Sequence, residues 1–122
     1  MNDRETTVAE CRRLVREFVD ERDWRQFHAP KNLAMSLAIE AAELMEHFQW
    51  IDAEASRRLA DDPHKLADIA DELADVLCYA LALANELDVD VAAALAAKMV
   101  KNRQKYPVDE YRGRYGPEDQ RS

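Results

Sequence analysis

Glycine is almost missing from this sequence: the 122 residues hold two, Gly113 and Gly116, both near the end. With none earlier, the chain has no obvious left-handed turns and no glycine-rich loop to cradle a phosphate. That argues against a P-loop, a dinucleotide-binding βαβ unit, a sandwich and a barrel. Cysteine is as scarce. Cys11 and Cys78 have no metal-ligand spacing and read as two buried, reduced thiols. Long hydrophobic runs are lacking too, and the longest uncharged apolar stretch, Val76–Ala84, is too short to cross a bilayer. The opening Met1-Asn2-Asp3-Arg4-Glu5 has no signal-peptide apolar run, so a cytoplasmic location is expected. Positive charge is in deficit, 17 Lys and Arg against 25 Asp and Glu, for a net charge of −8. Neither nucleic acid nor a membrane is an expected partner of so acidic a chain. A small anionic ligand stays possible if a cation or a local basic patch mediates.

What is present is helix-forming. The chain has twenty Ala and twelve Leu, and hydrophobic residues make up 48%. An all-α fold is therefore expected. Apolar residues from Val8 to Val19 recur at helical spacing and predict a first helix over 5–22, with Thr7 and Glu10 as a capping box. A break containing Pro30 follows. A second helix is predicted over 31–50, then a short exposed helix within 52–60. Asp62-Pro63 reads as an N-cap followed by proline at the first helical position, opening a third helix over 63–87. Asp88 or Asp90 caps a fourth helix, 90–105, which Pro107 ends. Residues 1–107 read as a single helical domain of four-helix-bundle type. The polar tail 108–122 reads as poorly packed. On the third helix, apolar residues cover well over half the circumference. A monomer's outer helix needs a stripe of only about 100°. The excess predicts a central position and a subunit interface.

Two acidic pairs stand out, Glu40-x-x-Glu43 on the second helix and Glu72-x-x-Asp75 on the third. Residues three apart share a helix face. At about 100° per residue, Glu40 falls roughly 20° from Leu33, and Glu72 falls in the same relation to Leu83. The first acid of each pair thus borders its helix's apolar stripe, and the second lies further out on the same side. Packed stripe to stripe, the two helices would bring four carboxylates to one rim. Four such charges need protons or cations, and oxygen-only ligands suit Mg²⁺ or Mn²⁺. A di-iron bundle would also require Glu-x-x-His motifs. His28, His47 and His64 never stand three residues after a Glu.

Lys98, Lys101, Asn102 and Lys105 share a face at the end of the fourth helix, the densest positive cluster in the chain. It complements the helix dipole or clamps phosphate. With a carboxylate rim, the second use suggests a divalent cation bridging a polyphosphate. Aromatics are few. Trp24, Phe27 and His28 lie in the break before the second helix, Trp50 near its end, and Tyr79 four residues after Asp75. Core packing is the usual fate of such residues, and stacking on a base is the functional alternative.

Together, the run Glu21-Arg22-Asp23-Trp24-Arg25-Gln26-Phe27-His28 with Pro30, Asn32 and Leu33, the two acidic pairs, Phe48-Gln49-Trp50, and Lys98-x-x-x-Asn102-x-x-x-Tyr106-Pro107 resemble the MazG-like superfamily of all-α nucleotide pyrophosphohydrolases, nearest to its dCTP pyrophosphatase branch. The match runs over about residues 10–107. The resemblance implies hydrolysis of a nucleoside triphosphate to the monophosphate and pyrophosphate, with dCTP or a modified dCTP as substrate. Glu40, Glu43, Glu72 and Asp75 correspond to its Mg²⁺ ligands and catalytic acids. Glu43 is the expected general base, with Glu46 as the alternative. Trp24, His28, Trp50 and Tyr79 correspond to the nucleobase pocket, and Val15 stands where the first helix supplies a base contact. Lys98, Asn102, Arg103 and Tyr106 correspond to the substrate-binding end of the fourth helix. The resemblance further implies a homo-dimer or homo-tetramer with sites drawing on neighbouring subunits. Two alternatives stay open: the same fold preferring dUTP or damaged purine triphosphates, and a non-catalytic helical module that binds nucleotide or protein.

Overall fold

The computed structural model describes residues 1–114, and every described element is helical. The elements are α1 (Val8–Glu21), a 3-10 turn (Arg25–Phe27), α2 (Pro30–Glu46), α3 (Ala53–Arg58), a second 3-10 turn (Leu59–Asp61), α4 (Pro63–Leu87), α5 (Val91–Lys105) and α6 (Val108–Tyr111). Met1–Val89 forms one compact unit, and a second begins at Asp90.

Side chains fix most helix starts. The Thr7 hydroxyl accepts from the Glu10 amide at 3.1 Å and the Glu10 carboxylate accepts from the Thr7 amide at 2.6 Å, which completes the expected capping box. Residues 2–6 do not join the helix, contrary to the predicted start at residue 5. The Asn2 side chain accepts from the amides of Arg4 and Glu5 and holds a turn there. Asp62 caps α4 through the amides of His64 and Lys65, with Pro63 at the first helical position, and Asp90 caps α5 through Ala93. The helix predicted over 31–50 stops at Glu46, after which turns carry the chain from His47 to Ile51. Asp52 caps α3 from an extended backbone conformation, which a helix running on through Trp50 could not meet. The segment 52–60 is not one helix. It splits into α3 and the tighter turn Leu59–Asp61.

Left-handed backbone occurs without glycine, at Asp23 (φ 51°) and Asp88 (φ 53°), against the expectation from composition. A short polar side chain that bonds locally makes this conformation accessible to Asp. Asp88 ends α4 in this way. Tail residues Val108–Tyr111 form α6, in which Tyr111 meets Tyr106 edge to face at 5.1 Å while Val108, Asp109 and Glu110 stay exposed. The expectation of a loose end over 115–122 lies outside the described residues.

In the first unit, α4 packs most extensively on α2 and secondly on α1. The buried apolar residues are few: Val19, Leu33, Leu81, Ala82 and Ala84, of which Leu33 alone is fully buried. Leu66, Leu73, Leu77 and Leu87 of α4 remain about half exposed. Cys78 is exposed and Cys11 half-buried, so neither thiol is the core residue expected from sequence. Cys78 sits on the flank of α4, between its packed and its open face. No helix among the described residues is long and apolar enough to cross a membrane.

Arg12 holds the far end of α4. Its guanidinium donates to the Asn85 side chain at 3.0 Å and to the carbonyls of Ala84 and Val89, while the Asn85 amide donates back to the Arg12 carbonyl at 3.1 Å. A cation there complements the helix dipole, and the Ala84 carbonyl accepts from it in addition to the amides of Asp88 and Val89. Arg12→Met should therefore lower stability by about 2 kcal/mol, the scale of a charged hydrogen-bond cluster lost from a half-buried site. Urea unfolding at fixed protein concentration measures this. A loss below about 0.5 kcal/mol would assign Arg12 the minor role of a surface charge.

Candidate metal centre and cleft

The α2–α4 contact sets the geometry of the acids. α2 and α4 pack against each other, and the first acid of each pair, Glu40 and Glu72, is half-buried at their seam. One carboxylate oxygen from each of Glu40, Glu43 and Glu72 lies within 4.8 Å of the others. Glu40 and Glu72 are half-buried and Glu43 is exposed, as expected for a second acid further round the helix. The Oε2 atoms of Glu40 and Glu72 are buried and have no hydrogen-bond partner. Asp75 lies close enough for its charge to act on both.

Crowding and burial make these acids hard to ionise. A proton shared with Glu43, burial, and the negative charges of Glu43, Asp75 and Glu72 push the Glu40 carboxyl up to about 7. Burial first, then the charges of Glu43 and Asp75, raise Glu72 above the usual carboxylate range, while nearby His47 acts in the opposite sense. His47 was not singled out from sequence. Its position four residues after Glu43, on the same helix face, is the signal that places it here. The donor set is oxygen only, and two of the oxygens are buried without partners. Both features fit a hard divalent cation such as Mg²⁺ or Mn²⁺.

Beside the acids a cleft of about 260 Å³ opens between α1, α2, α4 and the loop before α2. Glu40 and Asp75 line it together with Val15, Phe18, Val19, Trp24, His28, Cys78, Tyr79 and Ala82. From Asp75 to Ala82 along α4 the lining changes from acidic to apolar, over about 10 Å at the helical rise per residue. Trp24 meets Phe18 edge to face at 5.7 Å, and the Arg22 guanidinium sits 3.8 Å from the Phe18 ring centre on α1. Burial pushes the Cys78 thiol up, and the charge of Asp75 adds to this.

Of the residues expected at a base pocket, Trp24, His28, Tyr79 and Val15 meet in this cleft. Trp50 does not: it is 87% exposed, on the turn after α2. Lys98, Asn102, Arg103 and Tyr106 belong to the second unit, Lys98 at the middle of α5 and the other three at its C-terminal end. There Asn102 is half-buried and Lys105 lies 5.4 Å from the Tyr106 ring centre. Glu46, the alternative base, is the exposed last residue of α2. Phe18, Val19, Cys78 and Ala82 were missed as cleft residues. On sequence they read as helix packing, and only their i, i+3 and i+4 relation to Val15, Asp75 and Tyr79 hints otherwise.

The raised Glu40 carboxyl predicts a pH effect with a defined sign. Between about 4.5, its unfolded value, and about 7, the folded protein binds more protons than the unfolded one. Its contribution to stability is therefore present below that window and lost as pH rises through it. In chelator, Glu40→Gln should melt higher than the parent at pH 8, with the difference shrinking toward pH 5. Melting curves across that range decide it, and a variant less stable than the parent at pH 8 would contradict the geometry.

A sequence model of the MazG-like family matches residues 35–115. The chain is 48% identical to rat (Rattus norvegicus) dCTP pyrophosphatase 1 over 110 residues, covering 89% of this chain and 64% of that protein. It is 45% identical to human (Homo sapiens) dCTP pyrophosphatase 1 over 104 residues, covering 84% of this chain and 61% of that one. The chain thus spans less than two thirds of the length of these relatives. The crystal structure of a pyrophosphatase from Archaeoglobus fulgidus DSM 4304 superposes with a TM-score of 0.74 at 38% identity, covering 88% of this chain and 98% of the other. With the family model matching most of the sequence and relatives this similar, the chain belongs to the MazG-like family.

Proposed function

We propose that this protein hydrolyses a nucleoside triphosphate between the α and β phosphates, giving the monophosphate and pyrophosphate, with dCTP or a modified dCTP preferred. One observation carries the reading. Glu40, with its buried, unpartnered carboxylate oxygen, and Asp75 are the acids of a cleft whose remaining lining is mostly apolar and aromatic, and Glu72 stands beside it in the same cluster. A nucleotide has the same polarity, a polyphosphate at one end and a flat base at the other. The names of the relatives, dCTP pyrophosphatase 1 and pyrophosphatase, agree with it.

Each part of the chain then has a task. Glu40, Glu43, Glu72 and Asp75 would hold Mg²⁺, or Mn²⁺ in its place. The bound cation supplies charge neutralisation at the phosphates and polarises a water. Glu43 is exposed at the rim and is the carboxylate best placed to take that water's proton, with Glu46 less close to the cluster. Trp24, His28 and Tyr79 receive the base by stacking and edge contacts. Trp50, Lys98, Asn102, Arg103 and Tyr106 complete substrate binding in this proposal, Trp50 from a neighbouring copy. The half-exposed leucines of α4 and the small buried core support assembly of four-helix bundles into a homo-dimer or homo-tetramer.

The test is pyrophosphate release across the nucleoside triphosphates with Mg²⁺. dCTP or a 5-substituted dCTP should be among the best substrates, with dATP and dGTP poor. Glu72→Gln should abolish turnover. Trp24→Ala should raise KM roughly tenfold with a smaller effect on kcat, because stacking on one base is worth about 1–3 kcal/mol and is felt in ground and transition states alike. Full activity in excess chelator, or in Glu72→Gln, rejects the proposal.

A further inference from the structure

We propose that Arg25, paired with Asp20 of α1 and Glu86 of α4, is a positioning residue that fixes the Trp24–His28 wall of the cleft and so sets how tightly a base is held. As a statement about nucleotide binding this rests on the function proposed above. As a statement about the wall it does not.

The wall belongs to a loop, and a loop needs anchoring to keep a fixed aperture. Its backbone ties are local: the Trp24 amide donates to Val19, the Phe27 amide to Trp24, and the His28 amide to the Arg25 carbonyl at 3.1 Å. Arg25 adds a link to both neighbouring helices. Its Nε lies 3.3 Å from the Asp20 carboxylate and 3.9 Å from that of Glu86. It therefore joins the loop, α1 and α4, three of the four elements that line the cleft. A second cavity of about 10 Å³, room for one water, lies behind the wall, and Arg25, Asp20, Glu86 and His28 all border it. His28, with Val15, Val19 and Ala82, borders both this recess and the cleft, while Arg25 lines only the recess. Arg25 acts on the wall without lining the cleft, and its ion pairs are made to Asp20 and Glu86.

The test has one arm without substrate and one with it. The chain holds two tryptophans, so Trp50→Phe leaves Trp24 as the sole reporter. In that background Arg25→Met should make Trp24 emission more open to acrylamide quenching, and Arg25→Lys should restore part of the protection. In the otherwise unaltered protein, Arg25→Met should raise KM for the best nucleoside triphosphate about fivefold and leave kcat and the Mg²⁺-induced rise in Tm unchanged. Fivefold is the scale of two partly exposed ion pairs. Asp20→Asn with Glu86→Gln should reproduce the effect, and adding Arg25→Met to that pair should add nothing further. Unchanged quenching in Arg25→Met, additive effects in the combined variant, or a fall in kcat with KM unmoved overturns the proposal. If the parent hydrolyses no nucleoside triphosphate, the function proposed above fails, and the quenching arm still decides the role of Arg25.

Discussion

Carboxylates brought together where two helices meet repel one another. The seam between α2 and α4 places Glu40, Glu43 and Glu72 within 4.8 Å, with Asp75 beside them, and buries an oxygen of Glu40 and one of Glu72 without a partner. The repulsion is several kcal/mol per pair at about 4 Å and an effective dielectric near 20. The site meets it in the absence of a cation by holding protons, and Glu40 pushed up to about 7 is the sign of that compromise. Such an arrangement is poor for stability alone and well suited to attracting divalent cations. The same crowding explains why the acids must stand on long helices packed against each other. A loop would relax and let the charges part.

The rest of the first unit follows from that seam. α4 carries the acids at its centre and the apolar cleft residues one to two turns later, so one helix aligns both ends of the site. α1 and the loop before α2 close the apolar end, and Asp23 in left-handed backbone lets the chain turn tightly enough to bring Trp24 against Phe18. In the proposed function, binding and chemistry would thereby be separated along about 10 Å of helix. Under that proposal, alteration of the aromatic end is expected to act on affinity and alteration of the acidic end on the reaction.

Much of this was legible in the sequence because its signals are periodic or local. α4 has the bounds predicted from its apolar stripe and the Asp62-Pro63 start. The acids could be placed on the inner edge of both helices by angle alone. The end of α2 was not legible, because Phe48-Gln49-Trp50 continues a helical pattern while the cap that breaks it, Asp52, acts from outside. Left-handed turns were sought in glycine and are made by aspartate. Phe18, Val19, Cys78 and Ala82 were read as packing because a cleft wall and a helix interface use the same residue types. His47 went unnoticed, since its role depends on a charge on another helix.

The central claim, that the crowded acids are a divalent cation site, is met most directly by calorimetric titration of Mn²⁺ into the metal-free protein near pH 7, in buffers of different ionisation enthalpy. Saturable binding is expected, with protons released as the cation replaces them, so the apparent enthalpy should vary with the buffer, and Glu40→Gln should weaken both the binding and the release. Absence of saturable binding, or binding that persists unchanged in Glu40→Gln and Glu72→Gln, would contradict the account.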